Sequence, residues 1–227
     1  VILRRLMAQY PGKLRYFEAG QSVEGRPVHA AVLSDFSASP EDKSHVVFSG
    51  AEHGTEKNAA TTILALIEQL LTGGEEEAEI LRAQELTVIP VVNPDGYDTV
   101  AFTNRNGVNL FADYRFDGVP SQPESRALAA ILENSMPELF VSVHGHAHDE
   151  TKIRMTESTG IAFTARTSRC HSHELVEAVN RAAESAGYPQ DRGEEDSQRI
   201  LAALSQAPEH SFRSEEHTSE LQSLAYL

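Results

Sequence analysis

The sequence predicts an α/β fold, an α/β/α sandwich with a mixed, largely parallel central sheet, and three observations carry that expectation. Short apolar runs of strand type alternate with longer stretches of helical spacing. The apolar runs close on glycine or turn residues. The residues best suited to chemistry follow directly on those runs, where ligands sit in open α/β sheets.

Taken in order, residues 1–9 read as the end of a helix, stopped by Pro11-Gly12. Strands are expected at residues 14–18 and 27–34, joined by a turn at Glu24-Gly25. Residues 45–49 form a short apolar run closed by Gly50, the pattern of a buried strand. Residues 58–71 place Ile63, Leu64, Leu66, Ile67, Leu70 and Leu71 at helical spacing, and Gly73-Gly74 ends that helix. A further helix over 75–84 opens with glutamates, which suit the positive end of a helix dipole. Residues 86–92 read as a second buried strand, closed by Asn93-Pro94-Asp95-Gly96 as a turn. Residues 122–135 read as a helix with Pro123 in its first turn, and residues 139–143 as a third buried strand running into His144. Beyond it, helices are expected at 172–187 and 196–204.

A length of 227 residues fits one sizeable domain, and 40% hydrophobic residues suffice for a core. The formal charge of -15 argues against a nucleic-acid surface. The single Cys170 excludes an intramolecular disulfide and a multi-cysteine zinc module. No apolar run approaches the roughly 20 residues that span a bilayer, so a soluble protein is expected, with no membrane partner. Val1 in place of Met, with no signal peptide, reads as a start inside a longer protein. Compartment and oligomeric state have no signature.

The chemistry gathers at three strand ends: Ser49 to Glu56, Asn93 to Tyr97, and His144-Gly145-His146-Ala147-His148. Two imidazoles and one carboxylate with a fourth position open are the usual ligands of a catalytic zinc ion. His53 and Glu56 are three apart, so a turn entering a helix can aim both at one ion, with His144 arriving from a neighbouring strand. Spacing alone does not single them out, because His171/Glu174 and His217/Glu220 repeat it, and His53 and Glu56 as ordinary loop residues remain the alternative. Context separates the first pair: a buried strand before it, glycines around it and a helix after it. Among the three alternating histidines, His144 is favoured because it follows the apolar run directly.

The chain resembles the M14 zinc carboxypeptidases from about Leu6 to His148. The resemblance rests on Gly20 to Pro27, Gly50 to Glu56, Asn93 to Tyr97, Gly107 to Leu110, Pro123 to Leu128 and Ser142 to His144, in the family's order. It implies one zinc ion on His53, Glu56 and His144, and a peptide or acyl-amino-acid substrate cleaved by activated water. Asn109 falls where the family often has an aspartate hydrogen-bonded to the first histidine ligand, and its carbonyl oxygen can accept the same N–H. The family's oxyanion-steadying arginine would fall at Phe102, and its carboxylate-gripping Asn-Arg pair at Phe111-Ala112. Arg105 and Arg115 are the nearby candidates for substrate binding.

The resemblance also implies a general-base glutamate on a strand after the third ligand. Between Asp149 and Phe212 no glutamate is set in a strand pattern; Glu157, Glu174, Glu177 and Glu184 read as loop or helix-surface residues. Residues 213–227 read as translated sequencing-adapter sequence, so Glu215 can serve as the base only if that tail is native. The expected organisation is a zinc carboxypeptidase-like catalytic domain over 1–212, incomplete at both ends, and a non-native tail over 213–227. The expected function is a zinc-dependent metallopeptidase of carboxypeptidase type, in a fragment that truncation can leave inactive. An amidase or deacylase on the same fold and a non-catalytic zinc- or peptide-binding homologue are the alternatives.

Overall fold

A computed structural model describes residues 2–114 and 119–145, together with residues 178, 181, 182 and 185. Its elements run α1 (Ile2–Gln9), β1 (Leu14–Gln21), β2 (Pro27–Leu33), β3 (Ser44–Gly50), α2 (Lys57–Thr72), α3 (Glu75–Ala83), β4 (Gln84–Ile89), α4 (Pro94–Thr99), α5 (Pro123–Ser135) and β5 (Leu139–Val143). The five strands form one mixed sheet in the order β1-β2-β4-β3-β5. The β4-β3-β5 part is parallel, whereas β2 runs antiparallel to both β1 and β4. Residues 178, 181, 182 and 185 are helical and fall within the helix expected at 172–187. The helix expected at 196–204 and the tail lie outside the described residues.

The periodicity explains which faces are covered. In α2, Ala59, Ala60, Ile63, Ile67, Leu70 and Leu71 are buried, a stripe at helical spacing. Of these, Ile63, Ile67, Leu70 and Leu71 join Leu3 of α1, Leu81 of α3, and Leu14, Ala31, Leu33, Val46, Leu86 and Val88 of the sheet in one cluster. Strand alternation sends the residues between these to the opposite face, where Ala30 and Val47 are also buried. Helix α5 packs on β1 and β3 and buries Ala127, Leu128 and Leu132, none of which belongs to the first cluster. Burial on both faces is why the central strands read as apolar runs without polar alternation. No helix among the described residues is long and apolar enough to cross a membrane.

Two local differences from the sequence expectation bear on the site. The strand expected to reach residue 92 ends at Ile89, because Pro90 has no N–H to continue the ladder. Val92 and Asn93 instead donate backbone hydrogen bonds to Gly50 and Ala51 at the end of β3 (2.9 and 3.2 Å). The segment expected as a turn at 93–96 opens the short helix α4. Asn93 caps it through Oδ1, which accepts from the Gly96 N–H at 2.9 Å, and Pro94 supplies a first position that needs no donor. A sequence that favours turns also satisfies a helix start.

Candidate metal centre

The carboxyl ends of β3 and β5 lie side by side, with Ser49 opposite Ser142 and Gly50 opposite Val143. After Gly50 the chain turns sharply through Ala51, whose φ of 49° is uncommon for a residue with a side chain. The turn delivers Glu52 and His53, and Glu56 then stands at the N-cap of α2. Gly54 backs directly onto the Gly96 carbonyl, where a Cβ would collide, so the two loops can touch only through glycine. His144 emerges from β5 onto the same rim.

One ligand atom each from His53, Glu56 and His144 lies within 4.8 Å of the others, a group able to hold a metal ion. His53 Nδ1 is 2.8 Å from Glu56 Oε1, and His144 Nδ1 is 3.0 Å from Glu56 Oε2. The opposite ring nitrogens are engaged elsewhere. His53 Nε2 lies 2.9 Å from Asn109 Oδ1, and the Phe111 N–H donates to the same oxygen at 3.0 Å. That second contact identifies the oxygen of the amide, so His53 Nε2 must carry the proton. His144 Nε2 lies 3.0 Å from Ser142 Oγ, whose own proton goes to Glu52 Oε1 at 2.6 Å. His144 Nε2 is therefore a donor as well.

These outer bonds leave each neutral imidazole with its Nδ1 lone pair aimed at a carboxylate. Lone pair against carboxylate is repulsive unless a proton or a metal cation lies between them. Burial pushes the Glu56 carboxyl up, but the hydrogen-bonded rings of His144 and His53 hold it down at about 2. Burial likewise pushes the His53 imidazolium down, and Glu56 and Asn109 lift it above its ordinary value. Glu52 and Glu56 are both buried and formally carry two negative charges; among the described residues no Lys or Arg pairs with either. A divalent cation fits the donors, the geometry and the charge. Two imidazoles and a carboxylate are also the donor set of hydrolytic zinc centres.

The walls are aromatic. Phe102 is 49% exposed and stacks on the His53 ring at 3.9 Å between centroids, inclined by 11°. Phe111 meets the His144 ring edge-on at 4.9 Å. Arg105 makes no hydrogen bond or ion pair with His53, Glu56, His144 or Asn109; its Nε pairs with Glu24 Oε1 at 2.7 Å. Arg115, Glu215, the histidines at 146 and 148, and the glutamates at 157, 174, 177 and 184 lie outside the described residues. Sequence reasoning did not pick out Glu52 or the stacking of Phe102. The available signal for Ser142 was its position two before His144, which puts both on one strand face.

The fold is α/β with a group of side chains able to hold a metal at the strand ends, and sequence comparison identifies its family. The family model described as zinc carboxypeptidase, peptidase M14, matches residues 1–151, and the chain belongs to that family. Carboxypeptidase D of Anas platyrhynchos is 30% identical over 166 residues, covering 64% of this chain and 12% of that protein. A relative from Paracoccidioides brasiliensis (strain Pb03), named inactive metallocarboxypeptidase ECM14, is 28% identical over 99 residues, covering 42% of this chain and 17% of its own. The chain thus spans about an eighth to a sixth of the length of these curated relatives. Carboxypeptidase A from Helicoverpa armigera shares the fold, with a TM-score of 0.57 at 22% identity over 63% of this chain and 44% of that one.

Proposed function

We propose that this chain is part of a zinc-dependent hydrolase of carboxypeptidase type, which cleaves a peptide or amide bond with zinc-activated water. The observation that carries the reading is the pair of Nδ1 atoms, from His53 and His144, converging on the Glu56 carboxylate with both Nε2–H groups bound outward. When bound, zinc would polarise the scissile carbonyl and bring the pKa of a water to about 7. His53, Glu56 and His144 would hold it. Asn109 keeps the His53 tautomer that presents a lone pair inward, as outer hydrogen-bond partners do at metal sites. The rings of Phe102 and Phe111 lie against those of His53 and His144 and give a substrate an apolar surface. Metal analysis of the purified chain after incubation with zinc, beside hydrolysis of a peptide panel, tests the proposal. One zinc per chain with turnover supports it; a folded chain that takes up no zinc contradicts it.

A second reading within this one is an amidase or deacylase. Its support is Phe111-Ala112, at the positions where the family resemblance sets the Asn-Arg pair that grips a terminal carboxylate, with the Phe111 ring against His144 and Arg105 engaged by Glu24. A site with rings in place of cations favours a substrate without a free terminal carboxylate. Matched peptides with free and amidated C-termini separate the two: faster cleavage of the free acid counts against the deacylase. The relative named inactive makes zinc binding without turnover the third outcome, that of a non-catalytic homologue.

A further inference from the structure

We propose that Glu52 is a positioning residue for His144, acting through Ser142 to fix the imidazole tautomer that faces the metal. The inference rests on the metal reading above and adds to it a carboxylate two links away from the ion.

Glu52 is 2% exposed and follows the strained Ala51 turn. Its Oε1 accepts from Ser49 Oγ at 3.0 Å and from Ser142 Oγ at 2.6 Å. Ser49 and Ser142 are register partners on β3 and β5, so the parallel pairing itself brings both hydroxyls to one oxygen. Oε2 is buried with no hydrogen-bond partner among the described residues. A buried carboxylate in that state is costly, and internal packing alone would favour a neutral side chain there.

The single proton of Ser142 decides what His144 can do. Glu52 Oε1 is the acceptor shared by the Ser49 and Ser142 hydroxyls, and its bond to Ser142 Oγ is the shorter at 2.6 Å, so the Ser142 proton points at Glu52. The side of Ser142 that meets His144 Nε2 at 3.0 Å is then a lone pair. Nε2 must donate, and Nδ1 presents its lone pair toward Glu56. Remove Glu52 and the hydroxyl is free to turn and donate to Nε2, which moves the ring proton to Nδ1 and closes the ligand atom. The two histidines are therefore oriented by different means: His53 by a neutral amide in direct contact, His144 by a buried carboxylate through a hydroxyl.

The test is a double-mutant cycle on the full chain, with zinc affinity read by competition against a chromophoric chelator. Ser142→Ala and Glu52→Ala are each expected to weaken zinc binding by about 10- to 100-fold, the range for outer partners of metal ligands. The double variant is expected to bind no more weakly than the worse single one, because both act through one hydrogen bond. Ser142→Thr, which keeps the hydroxyl, retains wild-type affinity. Ring-nitrogen NMR of the zinc-free chain should show His144 protonated at Nε2 in wild type and a mixed or Nδ1-protonated ring in Ser142→Ala. Losses that add in the double variant, or a Ser142→Ala chain that binds zinc like wild type, overturn the proposal. If Glu52→Ala does not fold, Ser142→Ala and Ser142→Thr decide alone. A wild-type chain that binds no zinc removes the metal reading instead, and the His144 tautomer measured without metal still shows whether Ser142 sets it.

Discussion

Two buried carboxylates near the ends of the parallel strands, Asp95 and Glu56, are solved in opposite ways. Asp95 is 1% exposed and receives the Ser22 hydroxyl at 2.7 Å, the Glu24 backbone N–H at 2.9 Å and the Arg26 guanidinium at 2.6 Å. All three partners are permanent donors of the protein, one of them a full positive charge. Glu56 is 8% exposed and faces two imidazole nitrogens whose protons are committed on the far side of each ring. The first arrangement is complete in itself and pins the β1–β2 loop to α4. The second is complete only with a proton or a cation between carboxylate and rings. Similar burial therefore goes with opposite purposes, and the partners reveal which is which.

Replacing each carboxylate in turn separates the two roles most strongly. Asp95→Ala should lower stability by about 2–3 kcal/mol, the scale of hydrogen bonds to a charged group, and leave zinc uptake intact. Glu56→Ala should do the reverse, removing stoichiometric zinc binding and changing the zinc-free melting temperature less than Asp95→Ala does. Thermal melts and metal analysis on both variants check the pair; parallel losses in both quantities would erase the distinction.

The next effect is in pH. Burial pushes the Asp95 carboxyl up, but Glu24 N–H, Ser22 and Arg26 hold it below its ordinary value of 3.8. The unfolded chain takes up its proton first as pH falls, so the stability due to Asp95 is fully present above about pH 4 and is lost as pH drops through the lower, folded value. Melting curves of wild type and Asp95→Asn should thus differ at neutral pH and draw together below pH 4. A gap that widens in acid would reverse the sign and sink the assignment.

Smaller again is Asn109→Ala, expected to weaken zinc binding by about 10-fold or somewhat more, while Asn109→Asp tightens it by returning a charge to the His53 N–H. Chelator competition reads both, and an aspartate variant that binds more weakly than wild type would contradict the role. Phe102→Ala should cost least, on the order of 0.5 kcal/mol in the zinc-free fold, because a half-exposed stack contributes at the low end for aromatic pairs. A large loss of zinc affinity in that variant would make Phe102 part of the metal-holding geometry.

Much of this architecture was readable from local pattern. Residues 139–143 were expected as a strand and form β5, and the helix expected over 58–71 extends by one residue at each end. Both carry apolar periodicities that are strong over their whole length. The sheet order was not readable, because β2 beside β4 and β3 beside β5 are pairings between distant segments. Glu52 was missed for the same reason: its partner Ser142 becomes a neighbour only through the β3–β5 register. The absence of arginine at Phe102 and at Phe111-Ala112 was plain in the sequence, yet the rings' contacts with His53 and His144 depend on loop geometry that no spacing encodes. Asn109 was expected to accept from His53, and it lies against that ring while also capping the turn at Leu110–Ala112.

The proposed chemistry depends on a metal ion between the Glu56 carboxylate and the two inward lone pairs. Equilibrium dialysis of the full wild-type chain against zinc at neutral pH tests it most directly. One tightly held zinc per chain is expected, lost when His53, Glu56 or His144 is replaced by alanine. A folded wild-type chain without bound zinc, or zinc retained after all three replacements, would contradict it.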